Sequence, residues 1–205
     1  MIKAVVFDIG NVLVEWVPER PFDRLLGRAR REELFAKVDF SSMNDRSDLG
    51  EDMWDLVGEL TDQHPEDRKD ILLWAEHWME MLAPDLPLTA RLLRTLRAKG
   101  IPVFALSNFG VGTLKLAEQR YPVLTEFDQR FISGELRLAK PDPAIYAHLE
   151  AETGVDAEGL LFIDDRADNI DAAKARGWQG HLFEAPEGLA KRLVAEGLLT
   201  ADEAA

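Results

Sequence analysis

Cysteine is absent from this sequence of 205 residues. Disulfide bonds, thiolate catalysis and metal sites built on cysteine are therefore excluded. Long hydrophobic runs are absent too: no segment approaches the length of a membrane-spanning helix, and the first residues, MIKAVVFD, lack the apolar stretch of a signal peptide. We therefore expect a cytoplasmic enzyme or binding protein.

Basic residues are scarce relative to acidic ones. Lys and Arg total 24 against 38 Asp and Glu, which gives a net charge of −14. A chain with this balance lacks the basic face that binds nucleic acid or an anionic membrane, so we expect neither as a partner. An anionic small substrate would need positive charge placed locally at its site.

Short apolar runs separated by helical patterns dominate the rest of the chain. The runs are continuous rather than alternating, which is typical of strands buried on both faces of a parallel sheet. They cover residues 3–8, 101–108, 159–165 and, more weakly, 179–184. Between them, Leu88, Leu92 and Leu96 share one helical face before Gly100. This alternation predicts an α/β fold with a doubly wound, Rossmann-like parallel sheet.

Residues 15–88 interrupt the alternation with helical patterns and no convincing strand. One amphipathic helix is predicted there from the spacing of Ile71, Trp74, Ala75, Trp78 and Leu82. We interpret its apolar stripe as packing core, and the segment as a helical cap inserted into an α/β core of residues 1–14 and 89–205. A polar loop over 41–52 and a small hairpin near 133–141 complete the prediction.

Polar side chains follow three of the predicted strands. They are Asp8 after the first, Ser107 and Asn108 after the second, and Asp164 and Asp165 after the third. Because the carboxyl ends of parallel strands meet at one edge of the sheet, we expect these groups to lie together. Neighbouring carboxylates repel one another unless a cation lies between them, and without cysteine or a nearby histidine the ligands are oxygens. This pattern favours Mg²⁺.

Lys140 is the candidate for the local positive charge. Pro141 biases it toward an extended backbone, and Asp142 and Pro143 have the character of a helix N-cap and first helical position. We expect this arrangement to hold Lys140 at the edge of the sheet with its side chain free.

Four motifs occur in order across nearly the whole chain: FDIGNV, LSN, KPDPAIY and FIDDRADNI. With these motifs the chain resembles the haloacid dehalogenase superfamily of hydrolases, most of which are phosphatases. The resemblance is to the branch with D-x-G-N-V in the first motif, which includes sugar-phosphate phosphatases. The helical cap after the first motif fits the same family.

The resemblance implies a role for each motif residue. Asp8 is the nucleophile that forms an aspartyl-phosphate, and Lys140 offsets negative charge on the nucleophile and the phosphoryl group. Phosphoryl oxygens are bound by Ser107, Asn108 and the backbone amides after Asp8, at Ile9 and Gly10. Asp164 and Asp165 hold Mg²⁺ together with Asp8 and the Gly10 carbonyl, Asp165 more directly than Asp164, while Asn169 supports them.

Gly10 departs from the family's phosphatase pattern, which has a second aspartate at this position as general acid. Three explanations stay open: another group stands in, the substrate has a good leaving group, or hydrolysis is vestigial. Candidate stand-ins from the cap are Asp45, Asp48, His64 and His77, with a metal-ordered water as a further option.

The cap is expected to set substrate identity, and the residues we expect to face the site are Trp16, Asn44, Asp45 and Arg46. An arginine there would suit a second anionic or polyhydroxyl group. The sequence thus predicts a Mg²⁺-dependent phosphatase for a small phosphorylated metabolite, a sugar phosphate among the options, acting as a monomer or homodimer. The alternatives are a metal-free 2-haloacid dehalogenase and a catalytically weak phosphometabolite-binding protein.

Overall fold

A five-stranded parallel sheet forms the centre of the molecule. The computed structural model describes residues 1–205, and the strand order in the sheet is β5-β4-β1-β6-β7. A separate antiparallel pair is formed by β2 and β3. The strands are β1 Ala4–Phe7, β2 Val14–Trp16, β3 Leu82–Asp85, β4 Val103–Ser107, β5 Gln129–Ile132, β6 Leu160–Asp164 and β7 Gln179–Leu182. The four predicted strands are all present in this sheet.

Thirteen helices surround the strands. In the first half of the chain they are α1 Glu19–Leu26, α2 Arg28–Lys37, α3 Phe40–Asp48, α4 Met53–Gln63, α5 Arg68–Glu76 and α6 Trp78–Met81. In the second half they are α7 Pro87–Ala98, α8 Val111–Arg120, α9 Ser133–Leu136, α10 Pro143–Thr153, α11 Ala167–Ala175, α12 Pro186–Ala195 and α13 Ala201–Ala204. None of these helices has the length and apolar character needed to cross a membrane.

Helices cover both faces of the sheet, which confirms the doubly wound fold. Along β1, Ala4 and Val6 belong to one apolar cluster, together with residues of α10 and α11 such as Tyr146. Val5 and Phe7 belong to the other and larger cluster, which includes residues of α7, α8 and α12. Successive residues of a strand point to opposite faces, so β1 contributes to both cores.

Strand β5 lies at the edge of the sheet and has no counterpart among the predicted runs. Its residues Gln129 and Arg130 are exposed, whereas Phe131 and Ile132 are buried. An edge strand needs no continuous apolar run, because part of its surface faces solvent.

The helices α1 to α6 lie in the chain between the two strands of the small antiparallel sheet. Strands β2 and β3 fall inside the segment for which we predicted no strand, so that prediction was wrong. Both strands are too short to show a period-2 pattern, with three and four residues. The division into a cap over 15–88 and a core of 1–14 and 89–205 stays a prediction.

The apolar stripe of the inserted segment packs as core. Ile71, Trp74 and Trp78 are buried, and Trp74 stacks on Phe40 with ring centroids 4.9 Å apart. The predicted single helix is interrupted at His77, so that Leu82 belongs to β3 instead.

Two local predictions were wrong. Residues 41–52 are mostly helical rather than a loop: Asp39 caps α3 through the backbone N–H of Ser42, and the buried residues Met43 and Ser47 share one face. The expected hairpin near 133–141 is the single helical turn α9, which ends at Arg137 in the left-handed conformation. In α3 the side-chain cap and the burial of one face outweigh the polar composition. The turn α9 has no side-chain cap, but its Ser133 and Gly134 are buried.

Candidate active site

A cavity of about 660 Å³ opens at the carboxyl ends of β1, β4 and β6. Its walls combine residues that follow these strands with residues of α3, such as Asn44 and Asp48. The end of β1 supplies Asp8 and the end of β4 supplies Ser107. The structure therefore brings the predicted strand-end residues and part of the inserted helical segment to one site.

Asp8 presents its two carboxylate oxygens in different environments. Oδ1 accepts hydrogen bonds from the Ile9 backbone N–H at 2.7 Å and from the Ser107 hydroxyl at 2.6 Å, and lies 2.9 Å from the Lys140 ammonium. No protein group donates to Oδ2. One oxygen is thus fixed by three donors, while the other is left available to a ligand in the cavity.

Lys140 is buried, which corrects the expectation of a free side chain. Its ammonium lies 2.9 Å from Asp8 Oδ1 and 2.6 Å from Asp164 Oδ2. Asn108 holds the lysine from the backbone side: its Nδ2 donates to the Lys140 carbonyl at 2.9 Å and its Oδ1 accepts from the Lys140 N–H at 2.8 Å. In this structure the Asn108 amide therefore positions Lys140, although Asn108 was predicted to bind phosphate.

The three predicted acidic residues form one cluster. Asp8, Asp164 and Asp165 each offer a carboxylate oxygen within 4.8 Å of the others. Asp164 is fully buried and uses both oxygens for Lys140 and the Asn169 amide. Asp165 is half-buried and accepts only from Asn11 Nδ2, at 2.9 Å. Asp165 therefore has the greater free ligand capacity of the pair.

The charges of the cluster favour a cation. Burial raises the pKa of Asp8, Asp164 raises it further, and Lys140 and Ser107 oppose the rise, so that it lies at about 7. Burial lowers the pKa of Lys140, but the attraction of Asp8 and Asp164 outweighs it and the pKa is raised. Lys140 thus stays protonated, as one positive charge among three carboxyl groups.

Two observations indicate that the site suits Mg²⁺. The cluster offers carboxylate oxygens, which Mg²⁺ prefers as ligands, and Gly10 lines the same cavity. In addition, the side-chain oxygen of Asn169 is buried without a hydrogen-bond partner beside this cluster. A hydrated cation would supply donors where the protein provides none.

The substrate side of the cavity contains some of the predicted residues and not others. Trp16, Asn44, Asp45 and Asp48 line it. Arg46 does not, because its guanidinium pairs with Glu51 at 2.5 Å and Glu59 at 2.7 Å on the surface, so this prediction was wrong. Ile9 contributes its backbone N–H, while its side chain is buried in the core.

Neither histidine candidate lines the cavity. His77 pairs with Glu80 at 2.8 Å, and His64 lies beside Glu66 and Asp67 at the end of α4. Both are therefore removed as stand-ins for the missing acid, and Asp45 and Asp48 stay.

The sequence analysis did not identify two residues of the site, Asn11 and Arg166. Asn11 has φ of 55° and links the loop after β1 to the acidic cluster: its Nδ2 donates to Asp165, and its Oδ1 accepts from the Trp16 N–H at 2.8 Å. An asparagine after glycine in a strand-end loop is a recognisable signal for this left-handed conformation. Arg166 also lines the cavity, with its guanidinium on Asp168.

Comparisons with known proteins identify the family of this chain. The family described as haloacid dehalogenase-like hydrolase matches residues 2–177. The chain is 27% identical over 186 residues to the sesquiterpene phosphatase astK of Aspergillus oryzae, covering 89% of this chain and 90% of that protein. It is 25% identical over 202 residues to the drimenol cyclase drtB of Aspergillus calidoustus, where it spans 94% of this chain but only 36% of the relative's length.

A solved structure shows the same fold. The HAD family enzyme bt-2542 from Bacteroides thetaiotaomicron, crystallised with magnesium and inorganic phosphate, superposes with a TM-score of 0.70. The identity is 22%, with 90% of this chain and 96% of that chain covered. The α/β sheet with strand-end carboxylates over a cavity is consistent with the class of HAD-like hydrolases. This chain belongs to the haloacid dehalogenase-like hydrolase family.

Proposed function

We propose that this protein is a Mg²⁺-dependent phosphomonoester hydrolase that acts on a small phosphorylated metabolite through an aspartyl-phosphate. The observation that carries the proposal is the asymmetry of Asp8, whose Oδ1 is fixed by Ile9, Ser107 and Lys140 while Oδ2 has no protein donor. A carboxylate held in this way is positioned to attack with a chosen oxygen.

The surrounding residues have separate tasks in this reaction. Asp8 Oδ2 attacks phosphorus, and Lys140 keeps negative charge balanced at the nucleophile and near the transferred group. Ser107 orients the other oxygen of Asp8 at 2.6 Å. Asp8, Asp165 and the Gly10 carbonyl would hold Mg²⁺, with Asp164 and Asn169 arranged behind them. When bound, Mg²⁺ neutralises charge on the phosphoryl oxygens and lowers their repulsion with the nucleophile.

The cavity supports a substrate whose leaving group carries no second negative charge. On the side of α3 its wall has two carboxylates, Asp45 and Asp48, and the nearest arginine of that helix, Arg46, is paired with glutamates outside it. Trp16 and Trp78 add an aromatic wall. A polar, uncharged alcohol such as a sugar fits this wall, which agrees with the D-x-G-N-V branch.

Phosphate release from a panel of phosphomonoesters tests the proposal. The panel pairs 4-nitrophenyl phosphate with sugar 1-phosphates and sugar 6-phosphates, each assayed with Mg²⁺ and with a chelator. We expect Mg²⁺-dependent release by the wild type and none by Asp8→Asn. Asp62→Asn, which removes an exposed carboxylate outside the cavity, is the control and should keep full activity.

A failed assay is also informative. Turnover that persists in Asp8→Asn would show that the nucleophile is misassigned. Release of chloride from a 2-haloacid without release of phosphate from any ester would favour a dehalogenase. Binding of phosphorylated ligands without turnover would favour a binding protein.

Metal binding is tested separately from activity. Any ligand that binds the folded state alone raises the melting temperature by mass action. We expect Mg²⁺ to raise the melting temperature of the wild type, and Asp165→Asn to reduce this increase strongly. Asp171→Asn, an exposed carboxylate on α11, should leave the increase unchanged. Equal increases in the wild type and Asp165→Asn would remove Asp165 from the metal site.

A further inference from the structure

The missing acid at Gly10 leaves the leaving group without a proton donor on the loop after β1. Steric crowding does not explain the glycine: a Cβ at this position would meet nothing closer than Trp16 Cβ at 4.0 Å, and its backbone is not in the left-handed region. The space beside Gly10 opens into the cavity. Asp45 and Asp48 of α3 line the same cavity, so a proton donor can come from this helix.

The end of α3 is fixed on the core beside the loop that follows β4. The backbone carbonyl of Asp48 accepts a hydrogen bond from the Ser133 hydroxyl, and the same hydroxyl accepts from the Phe109 N–H at 2.9 Å. Phe109 lies two positions after Ser107 and one after Asn108. Asp48 is thus tied through two hydrogen bonds to the loop that carries Ser107.

Glycines allow this close approach. A Cβ at Gly50 would lie 2.5 Å from the Gly134 carbonyl oxygen, and a Cβ at Gly110 would lie 2.7 Å from Ser47 Oγ. The backbones at Gly50 and Gly134 are therefore in direct contact, while Ser47 packs its side chain and its carbonyl against Gly110. Such packing leaves little freedom for the position of Asp48.

The Asp48 side chain points into the cavity and has a local partner. Its Oδ2 accepts from Asn44 Nδ2 at 3.0 Å, one helical turn earlier. It lies at the C-terminal end of α3, where the helix dipole disfavours a carboxylate. Burial raises the pKa of Asp48, the negative charges of Asp45 and Asp8 raise it further, and the Gly110 amide and Lys140 oppose the rise, which brings it to about 7.

On the basis of the proposed phosphatase function, we propose that Asp48 is the general acid and base of this enzyme, in place of the side chain missing at Gly10. Asp45, the other carboxylate on this wall, is exposed and has no hydrogen-bond partner to fix it. Asp48 is half-buried and fixed on both its backbone and its side chain. Geometry therefore separates the two candidates.

The proton balance of the reaction assigns Asp48 two steps. In the first, Asp8 Oδ2 forms a bond to phosphorus, the bond from phosphorus to the ester oxygen breaks, and that oxygen takes its proton from Asp48 and leaves as an alcohol. In the second, water attacks phosphorus, its proton passes to the Asp48 carboxylate, and the bond to Asp8 breaks. Inorganic phosphate is released, and both aspartates return to their starting states.

Two aryl esters of similar size but different leaving groups test this role. 4-Nitrophenyl phosphate needs little help from an acid, whereas phenyl phosphate needs more because phenolate is more basic. We expect Asp48→Asn to lower kcat/KM for phenyl phosphate by about 10²-fold or more, and to lower it much less for 4-nitrophenyl phosphate. Circular dichroism and the Mg²⁺-dependent increase in melting temperature would show that the variant is folded.

A second variant makes the test independent of the first. In the double variant Asp48→Asn, Gly10→Asp, the aspartate enters the open space beside Gly10 and should restore much of the activity on phenyl phosphate. A purely structural role of Asp48 would give no such rescue. Asp45→Asn is the comparison within the same wall, and its effect should not depend on the leaving group.

The outcomes separate this inference from the proposed function. Equal losses for the two esters in Asp48→Asn, or a loss in Asp45→Asn that depends on the leaving group, would overturn the role of Asp48 while wild-type turnover upholds the phosphatase. A wild type that hydrolyses neither ester would overturn both.

Discussion

Asp8 and Asp48 are two carboxyl groups in different environments, and the different tasks that we propose for them rest on this difference. Both have a pKa raised by burial to about 7, yet only Asp8 is beside a lysine, at 2.9 Å. Lys140 and bound Mg²⁺ would favour the charged form of Asp8, as a nucleophile requires. Asp48 has no lysine beside it and instead accepts a hydrogen bond from the neutral side-chain amide of Asn44. In many enzymes, two carboxyl groups whose environments favour different protonation states serve as the acid and the nucleophile.

The pH dependence of stability reports the state of Asp48 without any assay of activity. A carboxyl group whose pKa is raised by folding stabilises the folded state at low pH, and this stabilisation is lost as pH rises through the folded pKa, here about 7. The melting temperature of Asp48→Asn relative to that of the wild type should therefore be higher at pH 8 than at pH 5, with chelator present. The charged groups that act on Asp48 are Asp45, Asp8 and Lys140.

Asp62→Asn is the control for this measurement, since Asp62 is exposed outside the cavity. Its difference from the wild type should be the same at both pH values. A difference for Asp48→Asn that is also constant with pH would contradict the raised pKa.

Helix α3 is the element that joins the inserted helical segment to the catalytic loops. One of its faces packs Phe40 and Met43 into the aromatic core, while its last residues contact α9 and the loop after β4. The polar residues of α3 therefore fall into two groups: some lie in the buried contact and others line the cavity. This division explains why the segment resembles a loop in sequence and is a helix in the structure.

Gly50 is the position where this contact is most easily broken. Its φ is +99°, and an added Cβ would lie 2.5 Å from the Gly134 carbonyl oxygen. Gly50→Ala should lower the free energy of unfolding by more than 1 kcal/mol, since it adds a backbone clash to the strain of a positive φ, which alone costs about 1 kcal/mol. It should also lower kcat by displacing Asp48.

Gly27→Ala is matched to this change. Gly27 has a φ of +79° with no atom within 4 Å of the added Cβ, so it tests the backbone strain alone. Chemical denaturation of both variants and kcat on phenyl phosphate give the comparison. Equal stability losses, or full activity in Gly50→Ala, would show that the end of α3 is not held by this contact.

At the scale of the whole molecule, the chain beyond the family match is part of the same core. The match ends at residue 177, but α12 and α13 follow it and pack on α7. Leu189, Leu193 and Leu199 of this segment belong to the larger apolar cluster, which also includes Val5 and Phe7 of β1. Substitutions that disrupt the packing of the C-terminal helices should therefore lower the stability of the entire domain.

Leu193→Ala tests this connection. Leu193 is fully buried, so its truncation should cost about 2–5 kcal/mol of the free energy of unfolding. Leu182→Ala is the control, because Leu182 is 43% exposed and leaves no buried cavity. Both are measured by urea denaturation. A cost below about 1 kcal/mol for Leu193→Ala would indicate that the C-terminal helices are dispensable to the core.

The sequence predicted the parallel sheet because buried central strands are continuous apolar runs, and it predicted the cluster of Asp8, Ser107, Asp164 and Asp165 because such strands end at one edge. It missed the edge strand β5, whose outer half is polar. It also missed the two short strands of the antiparallel pair, which have no room for a periodic pattern.

The chemical groups at the strand ends could be predicted from the sequence alone, since periodicity and motif order are local properties of the chain. It left open which group replaces the missing acid: Asp45, Asp48, His64 or His77 of the cap, or a metal-ordered water. The tertiary structure distinguishes them, through the contact of α3 with Ser133 and Phe109 and through burial that raises the pKa of Asp48, and our proposal for Asp48 rests on these contacts. Those contacts join residues 85 and 24 positions apart, and burial depends on every element around the cavity, so no local pattern records either.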